Sequence, residues 1–243
     1  MSLSKLKLIT FDGTNTLLKF RMPPWEYYIK VAKDHGFRGH ERDVQTRLIE
    51  GMNIMSKKYP NYGKYSITWM NWWSQLVKMT LKDFLPPTAD LDYIASKLIN
   101  AFKTNDCYCP ADSSEKLLKH LKQSKFTVGV ISNFDPRLYD ILQNTGLDKN
   151  LDFIVTSYDS GYSKPDERIF KKALQMCKQQ VQPSEALHVG DDVEKDYNGA
   201  RAAGWHAVLV NCHVSSVKLP TPQHVFNGLG HLYLSVNENK LKL

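Results

Sequence analysis

Four short stretches carry residues that could do chemistry together. An apolar run ends on a carboxylate at Phe11-Asp12, and Gly13, Thr14 and Asn15 follow at once, so a strand stops by presenting Asp12 to a crevice. Val128-Gly129-Val130-Ile131-Ser132-Asn133 is a second apolar run, ending on a hydroxyl and an amide. Ser163-Lys164-Pro165 places a lysine just before a helix start, and Leu187-His188-Val189-Gly190-Asp191-Asp192 closes a third run on adjacent acids. In chain order these offer a nucleophile, an oxyanion-type donor, a cation and a metal-binding acid.

Each residue also has a plainer reading. Asp12 alone would serve as a turn-starting aspartate or a helix cap. Lys164 alone would be a surface lysine ahead of a helix. Order and spacing taken together favour the chemical reading, because open α/β sheets keep their ligands at the carboxyl ends of the strands.

The elements that must position these residues follow from the periodicity. Helices are expected over 113–124, from Asp135-Pro136 to a stop at Gly146, from Pro165-Asp166 to about Lys178, and over 193–203 with Gly204 beyond. Strands are expected over 126–131, 153–155, 186–189 and 206–210. With the first strand this implies five parallel strands in a doubly wound α/β sheet. Between about Lys19 and Lys103 the alternation stops and four helical stretches take over, near 25–35, 41–58, 66–79 and 90–102. The expected division is 1–18 with 104–243 as the core, and 19–103 as a helical insert. The insert's aromatics, Trp25, Tyr27, Tyr28, Trp69, Trp72 and Trp73, read as the packing face of a small bundle, with one or two left over to face a site.

The four motifs resemble those of the haloacid dehalogenase (HAD) superfamily of hydrolases, and the resemblance covers nearly the whole chain. It implies a Rossmann-like core with an inserted helical cap of the C1 type, and a phosphatase acting on a small phosphorylated metabolite. In such an enzyme Asp12 attacks phosphorus and becomes an aspartyl-phosphate. Mg2+ would be held by Asp12, Asp191 and the backbone carbonyl of Thr14. Ser132 and Asn133, with the backbone amides after their strand, and Lys164 would bind the phosphoryl oxygens. Asp196, one turn on from Asp192, could orient Lys164 from behind, while Asp192 is either a second such support or a helix N-cap.

One departure stands out. Most phosphatases of the superfamily carry an acid-base aspartate two residues after the nucleophile, and here that position is Thr14. Loss of such a group typically costs about a hundredfold to ten-thousandfold. A slow phosphatase, a substrate with a good leaving group, or an acid supplied by the insert (Glu26, Asp34 or His35) would each accommodate it. A binding protein that retains the fold without useful catalysis would as well, and a metal-free 2-haloacid dehalogenase is the lesser alternative.

Composition limits the remaining choices. The 243 residues are 42% hydrophobic and 23% charged, which suits a folded core rather than disorder. The formal charge of +7 is spread without a Lys/Arg block, so a solvated basic surface is expected in place of nucleic-acid binding. Cys107, Cys109, Cys177 and Cys212 match no zinc spacing and are expected as reduced thiols. A first strand close to Met1, and no apolar run of about 18 residues, point to a cytoplasmic protein without membrane partners.

Overall fold

A computed structural model describes residues 5–211 and 221–243. The chain divides into two compact units, Met1–Lys19 with Cys109–Leu243, and Phe20–Tyr108.

The first unit is built on strand β1 (Leu8–Phe11), every residue of which is buried. A strand apolar on both faces must lie inside a sheet covered on both sides, and β1 is central. The order is β5-β4-β1-β6-β7-β8, with β4 (Thr127–Ser132), β5 (Phe153–Thr156), β6 (Ala186–Gly190), β7 (His206–Val210) and β8 (Val225–Phe226). Every pairing is parallel. Among the described residues the sheet has six strands, where periodicity implies five. The extra one, β8, is two residues long and pairs Leu209 with Val225 and Val210 with Phe226, too short to show any alternation. Short β2 (Leu18–Phe20) and β3 (Tyr108–Pro110) pair separately as a two-stranded ribbon.

Parallel strands need crossovers, and helices supply them. After the insert, α5 (Ser114–Gln123) leads into β4 and α6 (Arg137–Asn144) follows it, its first turn tied down by a buried Arg137–Asp135 pair at 2.7 Å. A short α7 (Ser157–Ser160) follows β5, and α8 (Glu167–Gln175) begins where the Asp166 carboxylate accepts from the Arg168 amide. The helix expected over 193–203 is divided. A π-helical turn, Val193–Asn198, precedes α9 (Gly199–Ala202). The widened turn carries the Asp196 carboxylate back over Gly190, consistent with the tendency of π-turns to occur at functional sites. Helix α10 (Leu229–Asn237) packs on α5 and closes the unit.

Phe20–Tyr108 is a bundle of α1 (Pro24–Lys33), α2 (Glu41–Lys58), α3 (Trp69–Leu81) and α4 (Leu91–Ala101). Thr68 and Asp90 cap α3 and α4 by accepting from the amides of Asn71 and Tyr93. Tyr27, Tyr28 and Trp72 are buried, with Tyr27 and Tyr28 edge-on to Phe102 and Trp72 against Trp73. These aromatics pack the bundle. Trp25 instead donates to Glu41, at 3.1 Å.

Cys107 is buried, while Cys109 and Cys177 are half-buried and, like it, free thiols; Cys212 lies outside the described residues. Among the described residues no helix is long and apolar enough to cross a membrane.

Candidate active site

The carboxyl ends of β1, β4 and β6 bring Asp12, Ser132 and Asp191 to one edge of the sheet. Lys164 reaches the same edge from the loop between α7 and α8. Its ammonium has three partners: Asp12 Oδ1 at 2.5 Å, Asp196 Oδ1 at 2.6 Å and the carbonyl of Ile131 at 2.7 Å. Three donors meet three acceptors with only 1% of the side chain exposed. Asn133 holds the Lys164 backbone from both sides, accepting from its N–H at 2.7 Å and donating to its carbonyl at 2.9 Å. The Asn133 carboxamide therefore anchors the loop. Ser132 is buried with its Oγ beside Gly13, where an added Cβ would lie 3.2 Å away.

Asp196 is the junction of the site. Its Oδ1 takes Lys164 and His188, and its Oδ2 accepts from the backbone N–H of Asp191 at 3.1 Å and of Asp192 at 3.0 Å. It thus supports both the cation and the turn carrying Asp191. The carboxyl group packs where a side chain on Gly190 would stand, since a Cβ there would be 2.1 Å from Asp196 Cγ. Asp192 is the helix cap: its Oδ1 accepts from the amides of Glu194 and Lys195, and its Oδ2 meets Lys195 Nζ at 2.6 Å.

Asp12, Asp191 and Asp196 present oxygens within 4.8 Å of one another. Burial raises the Asp12 pKa, with Lys164 opposing the rise. Burial, then the charges of Asp12 and Asp196, push Asp191 up to about 6, and a hydrogen bond with the Asn15 side chain offsets part of this. For Lys164 burial favours the neutral amine, but Asp12 and Asp196 prevail and hold its pKa above the ordinary lysine value. Burial would likewise raise Asp196, yet Lys164 and His188 bring it far below the usual carboxylate range. Three carboxylates face one ammonium, and with all three ionised the set carries a surplus of two negative charges, which a divalent cation would match. Carboxylate oxygens are hard donors of the kind Mg2+ takes. Both oxygens of Asp196 are already engaged, so Asp12 and Asp191 are the two that fit as ligands.

Thr14 is half-buried in the turn after β1, where the Asn15 N–H donates to the Leu18 carbonyl and the Leu17 and Leu18 amides to that of Gly13. Asn15 itself adopts φ 61°, a left-handed conformation that asparagine tolerates. Glu26, Asp34 and His35 all lie in the helical unit, with Asp34 3.5 Å from Lys97.

Residues 6–204 match the family model for haloacid dehalogenase-like hydrolases. The chain belongs to that family. Among its relatives is the rhythmically expressed gene 2 protein of Drosophila melanogaster, 39% identical over 220 residues, covering 86% of this chain and 85% of the relative. Haloacid dehalogenase-like hydrolase domain-containing protein 3 of Bos taurus is 34% identical over 234 residues, 94% of this chain and 92% of its own. The HAD-hydrolase YfnB from Bacillus subtilis, solved bound to magnesium, shares the fold with a TM-score of 0.73 at 19% identity, over 96% of this chain and 99% of that one. The defluorinating L-2-haloacid dehalogenase Rha0230 shares it with a TM-score of 0.75 at 16% identity, over 96% and 95%. A HAD phosphatase from Thermococcus onnurineus also shares it, with a TM-score of 0.68 at 19% identity over 98% of this chain and 100% of that one, so the fold houses more than one reaction.

His188, Thr10 and Asn15 belong to the site without standing in any of the motif roles. The first two carry a sequence signal: they are the only polar residues in the runs Leu8–Phe11 and Ala186–Gly190, and they sit directly opposite each other in the β1–β6 register.

Proposed function

We propose that this hydrolase is a Mg2+-dependent phosphatase that cleaves a small phosphorylated metabolite through an aspartyl-phosphate on Asp12. The observation that carries the reading is the Lys164 ammonium held between Asp12 and Asp196, beside the extra negative charge of Asp191. A carboxylate nucleophile meeting an anionic phosphate requires positive charge on both sides of the encounter.

In this reading an Asp12 oxygen forms a bond to phosphorus as the ester P–O bond breaks, and the electron pair leaves with the alkoxide. Lys164 neutralises the phosphoryl oxygens as charge moves onto them. The Ser132 hydroxyl and the amides after β4 hold another oxygen. Mg2+, held by Asp12, Asp191 and the Thr14 carbonyl, would supply Lewis-acid neutralisation of the same group. Water then cleaves the acyl phosphate and returns Asp12.

The Thr14 side chain cannot protonate the leaving alkoxide or activate that water near neutral pH, so turnover of poor leaving groups is slow. The residues 19–103 would act as the cap that sets specificity. Thr14 also supports a second reading, a HAD-fold binding protein of weak activity. Metal-free haloacid dehalogenation leaves the negative surplus around Asp191 without a purpose. A screen of phosphorylated metabolites with Mg2+, alongside Asp12→Asn, tests the reading: activity lost in both chelator and Asp12→Asn is expected, and full activity in chelator would overturn it.

A further inference from the structure

His188 is fully buried, and none of the chemistry above uses it. Its Nε2 lies 3.1 Å from Asp196 Oδ1 and its Nδ1 lies 2.8 Å from Thr10 Oγ1. Phe170 meets the ring edge-on at 5.4 Å. The ring therefore joins the strand that carries the nucleophile, two residues ahead of Asp12, to the carboxylate that holds Lys164.

The proton positions follow from the partners. A carboxylate only accepts, so Nε2 must carry the hydrogen that points at Asp196. Burial, aided by the Lys164 charge, lowers the His188 pKa against the opposing pull of Asp196 and Asp12, and in the neutral ring that this favours Nδ1 is a bare acceptor. The Thr10 hydroxyl then donates to Nδ1, in preference to the Leu187 carbonyl 3.4 Å away. Every atom of the chain Thr10, His188, Asp196, Lys164, Asp12 thus has an assigned direction of donation.

The consequence lies at Oδ1 of Asp196, which Lys164 and His188 share. While His188 occupies part of that oxygen, Asp196 has only a partial hold on the ammonium, and Asp12 keeps the rest. We propose that His188, fixed in its Nε2–H form by Thr10, is a positioning residue that sets how Lys164 is divided between Asp196 and Asp12. This rests on the phosphatase reading only for its kinetic consequence; the hydrogen-bond chain stands independently of it.

The experiment uses the full chain with 15N-labelled histidine and lysine. Near neutral pH the parent protein should show His188 protonated on Nε2 and unprotonated on Nδ1. The buried Lys164 ammonium should give a slowly exchanging resonance. His188→Leu should shift that resonance and lower kcat by about tenfold to a hundredfold, the range seen when a group supporting a ligand from behind is lost, with KM and Mg2+ affinity little changed. His188→Gln, which keeps an N–H within reach of Asp196, should restore most of both readouts. Should His188→Leu fail to fold, Thr10→Val carries the test, with a smaller shift of the Lys164 resonance in the same direction.

A ring protonated on Nδ1 overturns the proposal. So does a folded His188→Leu, or a Thr10→Val, whose Lys164 resonance matches the parent. If the parent hydrolyses no phosphate ester, the phosphatase reading falls and the resonances still decide the role of His188.

Discussion

Lys164 and Asp196 are 32 residues apart in sequence and 2.6 Å apart in space, both almost wholly buried. Such a pair holds because its members leave water together; removing one strands the other. Lys164→Met should therefore destabilise the protein by about 3 to 5 kcal/mol, eased to the extent that Asp12, whose pKa is already raised, takes up a proton. Chemical denaturation at neutral pH measures it, and a loss near zero would mean that the ammonium contributes little to the folded state.

Asp191 gives a pH signature. Its folded pKa of about 6 exceeds its ordinary 3.8, so its favourable contribution is complete below the ordinary value and is lost as pH rises through 6. A cation bound to the ionised carboxylate restores stability above that pH. Mg2+ should raise the melting temperature clearly at pH 7.5 and hardly at pH 5, with apparent affinity falling up to about tenfold per unit below 6. Equal stabilisation at both pH values would place the ion elsewhere.

Gly190→Ala should be severe, because its methyl would fall on Asp196 Cγ. Overpacking typically costs about 1 to 3 kcal/mol, and here the group displaced is the one holding Lys164 and the amides of Asp191 and Asp192. Loss of Mg2+ binding together with lowered melting temperature is expected; a variant that retained parental Mg2+ affinity would show that Asp196 can move without consequence.

Much of this could be read in the chain before the fold was known. The strand ends at Asp12, Ser132 and Asp191 are marked by apolar runs cut off by polar residues, and α2 occupies its expected Glu41–Lys58. What periodicity could not reveal depended on tertiary packing. Strand β8 is stabilised by pairing with β7. The π-turn at Val193–Asn198 goes with the packing of the Asp196 carboxylate over Gly190, a contact that no local pattern encodes. Asp192 could be told from a second support for Lys164 only once its Oδ1 was found on the Glu194 and Lys195 amides.

Thr14→Asp should supply the missing acid-base group if the rest of the machinery is intact. A gain of at least about tenfold is expected on esters with poor leaving groups, and less on activated ones, whose departure needs little proton transfer. No gain in a variant that folds and binds Mg2+ would favour the binding-protein reading.

The central claim is that Asp12 is the nucleophile, and covalent labelling tests it most directly. With Thr14 beside it, hydrolysis of the acyl phosphate should lag behind its formation. Rapid quench with radiolabelled acetyl phosphate and Mg2+ should trap label on the peptide containing Asp12, with a burst of acetate, and Asp12→Asn should abolish both. Product formed at the same rate by Asp12→Asn, or in chelator with no label at Asp12, would contradict the account.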